Sequence, residues 1–169
     1  MGTAANVKMG VCNVTFNSVS LGYTSGGVKC TFATESKEIE VDQEDVPIGE
    51  IITKQSFQVE VPMAEYNLAI LEDLLPGATL VTDGTDSTKK KLVLSGAAGG
   101  NLLESAAELL LEPAGESTDN FNVTVHHACP VPNIEFAFEK ENVRVYNVTF
   151  KALVGTNGFV TFGDTTATA

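Results

Sequence analysis

The chain has no tryptophan, three tyrosines, three cysteines and two histidines among its 169 residues. Each shortage excludes something. Cys12, Cys30 and Cys129 are odd in number and none lies close to another, so a disulfide framework is not expected and free buried thiols are. Structural zinc needs four ligands, usually arriving as close pairs. His126, His127 and Cys129 supply one cluster, and strand alternation would put His127 and Cys129 on one face with His126 on the other. Cys12 or Cys30 would have to reach them through folding, so no metal site is assigned. No uninterrupted apolar run approaches the roughly 20 residues of a membrane span. The start of the chain shows no apolar stretch of signal-peptide length, and Asn6 stands where N-myristoylation requires Ser or Thr. A cytoplasmic beginning is the expectation.

Positive charge is also scarce. Ten basic residues face 22 acidic ones, for a formal charge of −12. Binding to nucleic acid depends on Lys and Arg replacing counterions at phosphates. This composition repels DNA, and its simplest role is solubility.

Catalytic patterns are missing as well. There is no Gly-x-Ser-x-Gly elbow and no His-Glu-x-x-His. Gly96, Gly99 and Gly100 are not followed by the Lys-Ser/Thr of a phosphate loop. The stretch from Asp83 to Asp86 has the look of a calcium loop, but Leu94 stands where the bidentate Glu belongs, and a hairpin turn fits better. Three Asn-Val-Thr sequons, at Asn13, Asn122 and Asn147, read as strand residues in a chain without a secretion signal. No catalytic or metal residue and no cofactor is expected, and the chain does not read as an enzyme.

What is abundant is Thr, Val and Gly, a mixture that favours strands and turns. Strands are expected over 11–16, 28–34, 57–61, 78–82, 91–94, 109–112, 121–128, 134–138, 143–154 and 159–162. The first two are expected to pair as a hairpin across the turn-rich stretch 17–27. Ala64, Leu68, Leu71 and Leu75 fall on one helical face with Ile70 and Leu74 beside them, and Pro76-Gly77 stops that helix. Asn101, with Glu104 three residues on, predicts a short second helix. Many short strands and a helix suggest one domain over 1–169, mainly β: a sandwich or barrel with a helix packed against it.

The segment 35–54 differs from the rest. It holds seven acids, Glu35, Glu38, Glu40, Asp42, Glu44, Asp45 and Glu50, against Lys37 and Lys54. Its first part alternates acid and aliphatic and could extend a strand. The rest lacks a clear period and reads as a long loop with aliphatic anchors. Long loops in compact domains are usually functional or disordered, and Val46, Ile48, Ile51 and Ile52 argue for docking rather than disorder.

Three stretches carry a family likeness: Leu21-Gly-Tyr-Thr-Ser-Gly-Gly-Val28; Val41-Asp-Gln, Val46-Pro-Ile-Gly-Glu-Ile-Ile-Thr53 and Val59-Glu-Val-Pro62; and Val148-Thr-Phe-Lys-Ala-Leu153 leading to Phe159-Val-Thr-Phe-Gly-Asp164. In this order they resemble the major tail tube proteins of long-tailed bacteriophages, over roughly residues 10–165.

The resemblance implies two packed antiparallel sheets, in a sandwich or split barrel with one flanking α-helix, whose strands join a hexameric ring barrel. It implies stacked rings forming a virion tail tube, assembled in the host cytoplasm. Other tail proteins, such as a tape measure and a terminator, would be partners. Genome DNA would pass through without specific binding, and no membrane would be involved. The protruding loop at about 35–55 would engage neighbouring subunits through Val46, Pro47, Ile48, Ile51 and Ile52. Glu38, Glu40 and Glu60 are candidate acids for the lumen, where an acidic wall would repel DNA over about 8 Å at physiological salt. The alternative from the residues is a β-sandwich binding module, adhesin-like, on a virion or cell surface.

Overall fold

A computed structural model describes residues 8, 10–96, 98–132, 134, 137–138 and 140–168. The protein is mainly β, with two antiparallel sheets and one α-helix. The strands are β1 (Cys12–Phe16), β2 (Val19–Ser20), β3 (Lys29–Ile39), β4 (Gly49–Met63), β5 (Ala78–Thr82), β6 (Lys90–Leu94), β7 (Ala107–Pro113), β8 (Val123–Pro132), β9 (Tyr146–Ala152) and β10 (Val160–Phe162), with α1 at Leu68–Leu74. The large sheet runs β2-β1-β7-β8-β9-β4-β3, and β10 pairs with β8 beside it. The small sheet is the β5–β6 hairpin. The stretch expected as a strand at 134–138 falls largely outside the described residues.

The large sheet is strongly curved. β1 and β9 are separated by β7 and β8, which would hold them about 14 Å apart in a flat sheet. Yet the rings of Phe16 and Phe150 lie 5.0 Å apart between centroids. The core fills this concavity: Val14 and Phe16 from β1, Leu109 and Leu111 from β7, Val125 and Ala128 from β8, Tyr146, Val148 and Phe150 from β9, and Phe57, Val59, Val61 and Met63 from β4. Alternation explains β4 from Phe57 to Met63 and β9 from Tyr146 to Phe150, where every second residue is buried. The segment after β2 crosses from β1 to the far side. Thr24 bridges Met63, Ser25 N donates to Pro62 O at 2.9 Å, and Ala64 N donates to Tyr23 O at 2.8 Å.

The hairpin expected between the first two long strands does not form. β1 turns at Asn17-Ser18 into the short β2 instead. Both turn residues have positive φ, 50° and 63°, the conformation of a two-residue turn whose twist matches the flanking strands. β3 lies at the opposite end of the sheet order and pairs with β4.

The helix is shorter than its periodicity suggests. Residues 64–66 stay outside the helix, with Ala64 tied to Tyr23. Asn67 then caps α1, its side-chain oxygen accepting from Ala69 N at 2.9 Å. Ile70, Leu71 and Leu74 form the buried stripe. Gly77, at φ 79°, carries the chain out of the helix. The helix packs on the β5–β6 hairpin, and Glu72 Oε1 accepts from Leu80 N at 2.9 Å. The second expected helix is a single 3-10 turn, Leu102–Ser105, capped by Asn101 as anticipated, because β7 begins two residues later. No helix among the described residues is long and apolar enough to cross a membrane.

Phe150 joins the two sides of the concave core, so Phe150→Ala should cost about 3–5 kcal/mol. Urea unfolding should show a lower midpoint with an unchanged slope; a loss below about 1 kcal/mol would mean that the core does not close across β1 and β9.

Candidate self-assembly surface

The segment expected as a loop at 35–55 is a β-ribbon with a short tip. β3 and β4 pair from Lys29↔Glu60 to Ile39↔Gly49, and Ile48 N donates to Ile39 O at 2.9 Å beyond the last pair. The register shifts between Glu35 and Ser36, where β4 carries one extra residue. That bulge hides the period in the sequence. Ile51 and Ile52 therefore lie on a strand, while Val46, Pro47 and Ile48 lie in the tip. The bulge is pinned by Thr53 Oγ1 donating to Glu35 O at 3.1 Å and by a 2.9 Å ion pair between Lys54 and Glu35. That pair is fully at the surface and contributes at most about 1 kcal/mol.

All 11 residues of β3 are exposed. On β4 exposure changes midway: 50–55 are exposed, and burial begins at Phe57. The ribbon thus leaves the body as an arm. Among the described residues β3 has β4 as its one strand partner, which leaves its other edge open along about 34 Å. Val46, Ile48, Ile51 and Ile52 are 57–66% exposed. Such a set is more than scattered surface aliphatics, since full burial of each is worth about 1.5–3 kcal/mol.

Opposed residues share a face, so the register sorts the arm. Ser36, Glu38, Glu50 and Ile52 lie on one face, and Lys37, Ile39, Gly49 and Ile51 on the other. Glu38 stands directly opposite Glu50, a like-charge pair that costs stability in an isolated ribbon. Ser36 Oγ donates to the Glu50 carboxylate. With seven acids against two lysines over 35–54, the arm is strongly negative.

The three candidate luminal acids are not on one surface. Following β3, Glu38 continues the face of Phe32 and Cys30, which oppose Phe57 and Val59. Glu60 lies on the other face, opposite Lys29, with their charged groups 3.7 Å apart. Glu40 falls beyond the last strand pair. The face that carries Glu60 also bears Lys29, Glu35, Lys54 and Lys151, so it is mixed in charge rather than acidic.

The histidines are held apart by a second irregularity. Three steps along β8, Val125 to Ala128, oppose two along β7, and both Val125 and Ala128 are buried. His126 Nε2 lies 2.7 Å from Thr161 Oγ1. His127 packs on Gly155, where an added Cβ would stand 2.3 Å from the ring. Strict alternation therefore fails at this point. Cys129 Sγ donates to Leu102 O at 3.3 Å, and burial pushes its thiol pKa up. Of the three thiols expected to be buried only Cys129 is; Cys12 is half-buried and Cys30 exposed, and partial desolvation raises both, Cys30 with a smaller contribution from Cys12. All three are thus poor nucleophiles at neutral pH. Among the described residues no group of three or more His, Cys, Asp or Glu is placed to hold a metal.

No protein-family model matches the chain, and no curated protein shows significant sequence similarity to it.

The close seat of His127 gives a check on the β8 irregularity. Gly155→Ala should displace the ring and cost about 1–3 kcal/mol, read by thermal or urea unfolding. A neutral effect would mean that the ring is free to move aside.

Proposed function

We propose that this chain is a structural subunit that polymerises into the tail tube of a long-tailed phage, in stacked hexameric rings through which DNA passes. The reading rests on one observation above all: an 11-residue edge strand, exposed throughout, that continues into an apolar and acidic arm. A monomer normally blunts or covers such an edge. Closing a ring gives every edge a partner and limits growth in that direction. The charges on β3, Lys29, Glu35, Lys37 and Glu38, restrict pairing to a complementary edge. Hexameric closure itself comes from the family resemblance.

In this reading Val46, Pro47, Ile48, Ile51 and Ile52 bury against neighbouring subunits. On the face that carries Glu60, Lys29 and Lys54 are paired with Glu60 and Glu35, so a lumen lined by it offers DNA few unpaired cations. Of the three acids, Glu60 lies on the wall and partners Lys29, while the densest run of negative charge sits on the arm. With a net charge of −12 per chain, long-range repulsion keeps DNA from sticking.

Ile51→Asp with Ile52→Asp tests the arm. Both side chains are exposed in the monomer, so its stability should change by about 0.5 kcal/mol or less. Negative-stain microscopy should show rings or tubes for the parent and dispersed particles for the variant. Normal tubes from the variant would remove the arm from the interface. A parent that stays dispersed at high concentration would favour the adhesin-like binding module instead.

A further inference from the structure

We propose that the outer face of the β5–β6 hairpin is the docking site for the acidic arm of a second copy of this chain. This rests on the self-assembling reading above and names what the arm meets.

The hairpin has two unlike faces. Leu80 opposes Leu92, and both are half-buried. Their side of the hairpin is the one α1 covers. Val81 opposes Lys91 and Thr79 opposes Val93, which puts all four on the other face. Val81 and Val93 are 40% and 42% exposed. Lys89, Lys90 and Lys91 follow one another at the turn end, three of the ten basic residues in the chain. Lys89 reaches Asp86 at 3.5 Å. Lys90 and Lys91 have no carboxylate partner among the described residues.

Apart from the Lys89–Asp86 contact, the neighbouring acids are engaged within the turn. Asp83 Oδ1 accepts from Thr85 N at 2.9 Å and Asp86 N at 2.8 Å, and Asp86 Oδ1 accepts from Thr88 N at 3.1 Å. These bonds hold both carboxylates below their ordinary pKa, chiefly through the Asp86 amide for Asp83 and the Thr88 hydroxyl for Asp86. They fix the turn: Lys91 lies on the outer face, Lys89 stands at its end, and Lys90, opposite Thr82, starts from the other face, with all three exposed at the tip of the hairpin.

The arm has the complementary build. One face carries Ile39 and Ile51, 37% and 57% exposed, and its tip carries Glu40, Asp42, Glu44 and Asp45. Laid on the hairpin, the Ile39–Ile51 row covers Val81 and Val93 while the tip acids meet the lysines. The same charges repel a second arm, so the arms do not anneal to one another. Because arm and hairpin are different patches, each copy offers one of each. Contacts of this kind join copies head to tail and propagate, as stacking requires.

Charge exchange on the full chain tests this. Replacing Lys89, Lys90 and Lys91 with Glu should lower the polymer fraction in sedimentation at least tenfold, with an unchanged melting temperature. Replacing Glu40, Asp42, Glu44 and Asp45 with Lys should do the same. Mixing the two variants should restore polymer, since each then offers a matched partner. In polymer of the unaltered chain, half of it isotope-labelled, a zero-length carbodiimide should join Lys89–Lys91 to arm acids between copies. A lysine variant that polymerises normally overturns the docking site and leaves the tube reading intact. Failure of the mixture to recover, or no such cross-link, overturns the pairing of these two patches. A parent chain that never polymerises overturns the tube reading and this site together.

Discussion

One strand carries two incompatible environments, and the rest of the molecule is arranged around that. β4 runs 15 residues from Gly49 to Met63. Its second half buries Phe57, Val59, Val61 and Met63 in the core, and its first half stands in solvent with β3. Burial of four large side chains, at about 1.5–3 kcal/mol each, anchors the strand. The exposed half cannot hold itself by packing, because an isolated two-stranded ribbon is marginal in water. It persists as a continuation of a strand already fixed at the other end. The bulge at Glu35/Ser36 marks the change, and the Lys54–Glu35 contact and Thr53 hydroxyl tie the strands where core packing stops.

Curvature of the large sheet depends on comparable local defects. The extra residue at His126–His127 bends β8, so its first part can pair with β10 and its second with β9. Leu153 N donates to His127 O and His126 N donates to Phe159 O, so the excursion between β9 and β10 is stitched to the bulge. β10 then brings Phe162 edge-on to Phe57 at 6.0 Å and Phe159 beside Phe32 at 6.4 Å. The histidines thus have a structural task in hydrogen bonding and packing.

The parts legible in the sequence were those set by local rules. The β5–β6 hairpin follows from two aliphatic runs around Asp83-Gly84, and Pro76-Gly77 ends α1 as expected. Alternation in 57–61 names the core side of β4 correctly. What local pattern could not give was set by distant partners. Ala64 stays outside the helix and bonds to Tyr23, far away in the sequence, so the helical stripe loses its first member. β1 turns at Asn17-Ser18, a pair without the glycine that usually announces such a turn. Ile51 and Ile52 looked aperiodic because the bulge sits beside them and because no core requires alternation on an exposed ribbon. The grouping of Glu38, Glu40 and Glu60 failed to resolve faces for the same reason: counting by twos does not carry across a bulge or past the last pair.

Charge and greasiness on the arm have to be weighed together. Aliphatics alone would make the ribbon adhere to any apolar surface, including another arm. Glu38 opposite Glu50, with four acids at the tip, makes that encounter repulsive. The acids cost something in the lone subunit, since among the described residues no cation pairs with Glu38 or Glu50. In the proposed docking that cost is recovered when the cationic hairpin arrives, and with it the aliphatics become buried. In the proposed assembly, a ribbon of this composition would discriminate by repulsion first and hold by burial second, the order needed if copies are to find the right patch on one another.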